Sequence, residues 1–356
     1  MLQLTKLIGG LHNITRQPTK LFHSEFIRNV LFLMSGNALA QCISIGASPL
    51  ITRLFTPENF GILALFLSSS SLTGSVSTLC YDRAILLPKN SEDALALTLL
   101  SGLILFSMCV VLLMVILGFQ PFLIALIAAP EFGRWIYFVP LAVFLEGIIR
   151  IFRYWHFRQK NFRLVALART SESTVTAGLK IGFGFICGTW TGGLILGTLV
   201  GMAVCGMILL RDATSLLGAG VLESSSSLDL KKSFYQYKKF PLFATWNALI
   251  GHASRSAVVF VMSALFSTAV IGFYGLANRI LRQPVSLLSD SISNVFFQKA
   301  AVAKVTQVDI AGTLLKAVLG LFSLGLIPFL VLGVFGRDIF RFLFGGNWEM
   351  AGQYAQ

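Results

Sequence analysis

The sequence predicts an all-α, polytopic membrane protein with about nine transmembrane helices in two pseudo-symmetric lobes, the second of them incomplete. An apolar composition, a series of long apolar runs and an internal repeat lead to this prediction. Of the 356 residues, 55% are hydrophobic and 12% are charged, whereas soluble domains carry roughly 25% charged residues. The net charge of +13 comes from Lys and Arg spread between the apolar runs. We therefore predict no nucleic-acid partner.

Each apolar run is long enough to cross a bilayer, which takes about 20 residues. The runs lie at about 30–51, 60–80, 94–117, 134–152, 164–187, 191–210, 240–265, 269–289 and 310–335. Twenty of the 28 Lys and Arg residues fall in the N-terminal tail and in alternate connections, and four fall in the other connections. Because positively charged loops stay on the cytoplasmic side, we expect a cytoplasmic N-terminus.

The remaining four cations lie inside apolar runs, and they are Lys180, Arg255, Arg279 and Arg282. A cation at mid-bilayer costs at least about 2.5 to 3.5 kcal/mol, so it is expected to face water, a partner or a substrate. For Arg255 the alternative is a structural ion pair with Glu146 or Asp290. For the other three, a long side chain that reaches the membrane surface is the alternative.

An internal repeat relates the first two runs to the seventh and eighth. NALAQCISIGASPLITRLFTPENFGI at 37–62 is echoed by NALIGHASRSAVVFVMSALFSTAVIGF at 247–273, at an offset of 210 to 211 residues. Copies six spans apart have the same orientation, which is typical of two-lobed transporters with a substrate path between the lobes. The predicted parts are a cytoplasmic tail (1–29), an N-lobe of six helices (30–211), a cytoplasmic linker (212–239) and a partial C-lobe of three helices (240–356). Lobes of equal length would need about 65 more residues, so we expect two to three helices to be missing.

Polar residues in the spans recur at helical spacing. Asn37 and Gln41 begin such a stripe in the first span, and Asn247 begins its counterpart in the repeat. The serines and threonines of these stripes are alternatively only interhelical contacts. Gly193 and Gly197 begin a GxxxGxxxG pattern that predicts close helix packing. Several cations and few acids between two lobes favour an anionic substrate, and phosphate or pyrophosphate suits arginine best.

Catalytic signatures are missing from the sequence. It contains no nucleotide-binding loop, no metal-ligand spacing and no long extramembrane domain with paired acids. We therefore predict that the protein is not an enzyme and has no cofactor.

Five segments together carry a resemblance to a known family: LMSGNALAQCISIGASPLITRLFTPENFGILALF, NFRLVALARTSESTVTAGLK, GGLILGTLVG, IGFYGLANRILRQPVSLLSDSISNVFFQ and FGGNWEMAGQYAQ. They resemble the polysaccharide-unit flippases, the O-antigen and exopolysaccharide translocases of the multidrug/oligosaccharidyl-lipid/polysaccharide exporter superfamily. The resemblance implies a two-lobed transporter of twelve to fourteen helices in the bacterial inner membrane. It also implies a central cavity lined by cations, a role that falls here on Lys180, Arg255, Arg279 and Arg282.

The resemblance implies that the cargo is a polyprenyl-pyrophosphate-linked oligosaccharide, moved between leaflets by alternating access. Asn37, Gln41 and Asn247 are then expected to contact sugar hydroxyls. Membrane lipids and polysaccharide assembly proteins are the expected partners. The alternatives are a drug or cation antiporter of the same superfamily, an integral membrane polysaccharide polymerase or ligase, and a non-functional truncated remnant.

Overall fold

A computed structural model describes residues 17–217, 229–282 and 329–356, with side chains from residue 32 and without those of 212–217. The predicted all-α class is confirmed, since the described residues form helices and turns and no strand. The longer helices are α1 Gln17–Leu54, α2 Pro57–Gly74, α4 Ser91–Ile127, α5 Val139–Arg158, α6 Phe162–Cys187, α7 Thr191–Leu217, α9 Thr245–Leu265, α10 268–282 and α11 329–344. The shorter ones are α3 Tyr81–Ala84, α8 Leu230–Gln236, α12 Glu349–Ala355 and the 3₁₀ segments Pro130–Arg134, Ile136–Phe138 and Gly346–Trp348.

Three stretches of the described chain are long and apolar enough to cross a membrane. They are Ser91–Ile127, Thr191–Arg211 and Phe240–Leu265, with mean hydropathies of 2.9, 2.3 and 1.5. Helix α4 exposes a continuous apolar face that includes Phe106 and Met114, which is the surface expected against lipid. The polytopic membrane class therefore holds. The number of nine spans stays a prediction, and most of the run at 310–335 lies outside the described residues.

Several helices extend beyond the apolar runs. Helix α1 begins at Gln17 rather than near residue 30, and α4 continues to Ile127 across a kink at Phe119, where the backbone has φ −122° and ψ 16°. The charged stretch between the predicted runs at 134–152 and 164–187 is mostly helical, because α5 ends at Arg158 and α6 begins at Phe162. Arginine is a good helix former and its charge can reach the membrane surface. Apolarity therefore underestimates helix length where charged residues continue the helix.

The described part of the predicted linker includes a helix. Helix α8 lies within it and packs on α4, and the Tyr81 hydroxyl donates to the backbone carbonyl of Phe234 at 3.0 Å. The rings of Tyr81 and Phe234 also stack, with centroids 5.7 Å apart. The second half of the linker thus docks at the end of the bundle that carries most Lys and Arg, which we call the cation-rich end. The opposite end, with the 55–56 and 188–190 connections, is the cation-poor end.

The glycine pattern in α7 packs against α6, as predicted. A Cβ atom on Gly193 would lie 2.7 Å from Cβ of Phe183, one on Gly197 would lie 3.0 Å from Cγ of Lys180, and one on Gly201 would collide with the Thr176 hydroxyl. The absence of side chains lets α7 approach α6 closely along this whole face.

A reciprocal contact joins α2 and α10 near the cation-poor end. A Cβ atom on Gly61 would collide with the carbonyl oxygen of Thr268, and one on Gly272 would collide with the carbonyl oxygen of Pro57. Thr268 and Gly272 are the residues that the 211-residue offset relates to Pro57 and Gly61. The same pair of positions therefore meets twice, as in an interface with two-fold symmetry. The residue boundaries of the two lobes stay a prediction.

The C-terminal segment docks on the N-terminal half of the chain through Trp348. This side chain is 1% exposed, and its indole N–H donates to the carbonyl of Thr52 at 2.8 Å. Its ring meets that of Phe60 edge to face, with centroids 4.8 Å apart. The packing ties residues near 350 to α1 and α2.

We expect Trp348→Phe to lower the free energy of unfolding by about 1 to 3 kcal/mol, because the hydrogen bond to Thr52 is lost and the smaller phenyl ring leaves space at a buried position. Reversible unfolding of the purified protein in detergent measures this loss. Trp246→Phe is the control, since Trp246 is 61% exposed on α9 and should change stability by less than about 0.5 kcal/mol. Equal effects of the two substitutions would show that the Trp348 contact does not contribute to stability.

Candidate functional site

A cavity of about 550 Å³ lies between α1 and α6, with single residues added from α2, α5, α7 and α10. We call it the central cavity. Its charged lining residues are Arg153, Arg169, Glu172, Lys180 and Arg279. Its uncharged polar lining residues are Asn37, Gln41, Ser44, Ser173, Thr176 and Thr198. The lining is therefore polar and carries more cations than carboxylates.

The close packing of α1 and α6 brings two polar stripes to one cavity. The Ser173 hydroxyl donates to the carbonyl of Ala40 at 2.6 Å, and the Thr170 hydroxyl lies 3.3 Å from the carbonyl of Gly36. These interhelical bonds fix the rotation of α6 against α1. As a result, Asn37 and Gln41 face the same space as Lys180.

Lys180 on α6 and Arg279 on α10 bring positive charge into this space from helices far apart in the chain. Lys180 is 5% exposed, and the Arg279 guanidinium donates to the Ser44 hydroxyl at 2.5 Å. Within the part of the chain that the structure describes, neither residue forms an ion pair. Lys180 is buried and Arg279 is half-buried, and two such cations without a carboxylate repel each other and favour an anion between them.

Arg153 and Arg169 also line the central cavity. Arg153 lies just past the predicted run at 134–152, where α5 continues to Arg158, and Arg169 lies within the run at 164–187, on α6. Arg169 forms an ion pair with Glu172 at 2.9 Å. Glu172 is the one carboxylate among the described lining residues, so three cations remain without a neutralising partner in the lining.

Gln41 carries an unsatisfied polar atom, which is evidence that a ligand binds here. Its side-chain oxygen is buried and has no hydrogen-bond partner among the described residues, and the residue lines the central cavity. A buried acceptor without a donor costs about 1 to 3 kcal/mol. A ligand hydroxyl would remove this cost.

The other predicted site residues lie outside the central cavity. Arg255 and Asn247 are exposed on α9, and Arg282 is exposed at the end of the described part of α10. Arg255 makes no ion pair with Glu146, and Asp290 lies outside the described residues. The structure thus brings together Lys180, Arg279, Asn37 and Gln41 but does not place Arg255, Arg282 or Asn247 with them. The substrate-binding role of all seven residues stays a prediction.

Helix α9 meets α2 through His252 and Ser256. Nδ1 of His252 lies 2.7 Å from the Ser71 hydroxyl, and the Ser256 hydroxyl donates to the carbonyl of Ser68 at 3.2 Å. His252 is therefore a hydrogen-bonded residue of the packing between α2 and α9. Arg255, beside Ser256 on the same helix, is exposed.

The comparison with protein families decides the affiliation of the chain. The model of a family described as "Polysaccharide biosynthesis protein" matches residues 50–352. The chain belongs to this polysaccharide biosynthesis family. The match covers the second copy of the internal repeat, residues 50–62 of the first copy, and all but four of the residues that line the central cavity. Neither the curated proteins nor the solved structures gave a match.

Proposed function

We propose that this member of the polysaccharide biosynthesis family translocates polyprenyl-pyrophosphate-linked oligosaccharide repeat units across the bacterial inner membrane, by alternating access. The observation that carries the proposal is the central cavity, with four cations against one carboxylate and with uncharged polar groups beside them. A pyrophosphate-linked sugar combines an anion with many hydroxyls. The cations of the cavity complement the anion, and its uncharged polar groups complement the hydroxyls.

The roles of the residues follow from their chemistry. Arg279 presents a planar guanidinium that can donate two parallel hydrogen bonds to phosphate oxygens, while Lys180 contributes a point charge. Asn37 and Gln41 carry amide groups that both donate to and accept from sugar hydroxyls. The polyprenyl chain stays in the bilayer, where its apolar surface needs no protein contact. Because the cations bind the common pyrophosphate and the amides bind sugar hydroxyls, one site would accept different sugars on a common lipid carrier.

A drug or cation antiporter on the same fold is less well supported. A cationic cargo needs carboxylates free to receive it, whereas the carboxylate of Glu172 already pairs with Arg169. The net positive lining of the central cavity would repel a cation. We therefore favour the anionic cargo.

Lys180→Met tests the proposal in cells that lack their own repeat-unit translocase. We expect surface polysaccharide to fall by about threefold to tenfold, because one charge contact to phosphate is lost while the length of the side chain is kept. Glycan gels of the cell surface, together with the amount of lipid-linked repeat unit that accumulates in the membrane, measure the effect.

Lys239→Met is the matched control, since Lys239 is exposed and lies outside the central cavity. Protein levels of both variants are compared in membranes. Export by Lys180→Met at the level of the control, with equal protein, would contradict the role of the central cavity.

A further inference from the structure

A second cavity lies at the cation-poor end of the bundle. It has a volume of about 850 Å³ and lies between the first turns of α2, the two 3₁₀ segments after α4 and the connection from α6 to α7. The rings of Trp135, Phe138 and Trp190 line it. We call it the tryptophan pocket. It shares no lining residue with the central cavity.

The aromatic side chains form an angled wall. The ring centroids of Trp135 and Trp190 are 6.0 Å apart with planes inclined by 60°, and Phe138 lies 5.8 Å from Trp135. Trp190 is 45% exposed, so a face of its indole is open to a ligand. Tryptophans that only mark the membrane surface face lipid head groups. Here the rings share a pocket with carboxylates.

The connection that carries Trp190 is held in place by a buried amide. Asn59 is 6% exposed, and its side-chain N–H groups donate to the backbone carbonyl of Thr189 and to the Thr191 hydroxyl. Its carbonyl oxygen accepts from the Thr56 hydroxyl at 2.5 Å. Gly192 leaves room for the Trp190 ring, since a Cβ atom there would collide with the indole. The ring is therefore held in one orientation before any ligand arrives.

The charges of the tryptophan pocket are opposite to those of the central cavity. Glu58 and Glu131 line it with Arg134 as the one described cation. Glu131 also lies 3.4 Å from the Thr268 hydroxyl, which leaves oxygen lone pairs free for further donors. Phosphate would meet two carboxylates here. A hydroxyl-rich neutral or amino-substituted ligand would not be repelled.

We infer that the tryptophan pocket binds pyranose sugars, with one sugar face stacked on the Trp190 indole and hydroxyls donating to Glu58 and Glu131. The electron-rich face of an indole attracts the polarised C–H groups of a sugar ring. Carboxylates accept two hydrogen bonds from neighbouring hydroxyls. The inference rests on the proposed function only for the source of the sugar, which is the glycan part of the lipid-linked substrate. The pyrophosphate and the glycan thus have separate sites of opposite charge.

Saturation-transfer NMR on the purified full chain in detergent tests this inference. The probes are the methyl β-glycosides of glucose, galactose and glucosamine, with inorganic pyrophosphate as the probe for the central cavity. We expect at least one glycoside to bind. Trp190→Ala should weaken that binding by about tenfold, and Trp190→Phe should weaken it less, because an aromatic face is kept. Glu131→Gln should weaken it as well, and binding of pyrophosphate should not change in these variants.

The inference is overturned if no glycoside of the panel binds, or if binding survives both Trp190→Ala and Glu131→Gln. It is also overturned if Trp190→Phe weakens glycoside and pyrophosphate binding equally, since the effect would then be global. Failure of the proposed function gives a different result. In that case pyrophosphate does not bind, or does not respond to Arg279, while glycoside binding still depends on Trp190.

Discussion

Gly61→Ala and Gly272→Ala are each expected to lower the free energy of unfolding by about 1 to 3 kcal/mol, the usual cost of forcing an extra methyl group into packed structure. Each new Cβ would collide with a backbone carbonyl, that of Thr268 or that of Pro57. Backbone atoms cannot rotate away as a flexible side chain can. The crossing of α2 and α10 would have to open instead.

The double variant gives the sharper result. Because the two glycines lie in one crossing, a separation forced by the first Cβ also makes room for the second. We expect the double variant to lose less stability than the two single losses added together. Thermal unfolding in detergent, with ligand absent, is measured for the wild type, the two single variants and the double variant. These four proteins form a double-mutant cycle.

Gly46→Ala is the matched control on α1. Nothing lies within 4 Å of the position where its Cβ would be built, so the substitution should be neutral or stabilising by up to about 1 kcal/mol, from helix propensity alone. Losses at Gly61 and Gly272 no greater than that at Gly46 would contradict the close crossing. Strict additivity of the two losses would contradict its reciprocal form.

Arg279→Ala is expected to weaken binding of inorganic pyrophosphate about 10-fold to 100-fold. Hydrogen bonds to charged groups contribute about 1.5 to 3 kcal/mol, and each 1.4 kcal/mol corresponds to a factor of ten in Kd. The expected effect exceeds that of Lys180→Met, because a guanidinium can bind two phosphate oxygens at once. Arg279→Lys should fall between wild type and Arg279→Ala, since it keeps the charge and loses the planar fork.

Isothermal titration calorimetry of the purified protein at fixed ionic strength measures these affinities, because salt screens such contacts. Arg83→Ala is the control, as Arg83 is exposed on α3 and lies outside the central cavity. Wild-type affinity in Arg279→Ala would remove this residue from the anion site. A loss of equal size in Arg83→Ala would mean that only the net charge of the protein matters.

The central cavity shows which site residues a sequence can reveal. Lys180 and Arg279 stand out because a cation in an apolar run needs an explanation, and Asn37 and Gln41 stand out by helical spacing. Arg153 does not, because a charged stretch between apolar runs has the composition of a loop whether or not a helix continues into it. Only the observed end of α5 at Arg158 moves this arginine to the cavity wall.

Arg255 and Asn247 show the limit of arguments from a repeat. The repeat predicts that α9 matches the first span and that both carry a polar stripe. It does not say which neighbour each stripe meets. In the structure α1 turns its stripe toward α6, whereas α9 contacts α2 through His252 and Ser256. The exposed position of Arg255 follows from that packing.

The residues themselves specified the helical class, the membrane setting, the repeat and the presence of cations inside apolar runs, because these depend on composition and on periods of a few residues. The joining of cations from three helices in one cavity, the reciprocal meeting of Gly61 with Gly272 and the tryptophan pocket depended on contacts between segments far apart in the chain. Helix rotation and crossing are set by side-chain packing between helices, which no local pattern encodes. That packing places Arg279 beside Ser44, 235 residues away, and leaves the Trp190 indole open beside two carboxylates.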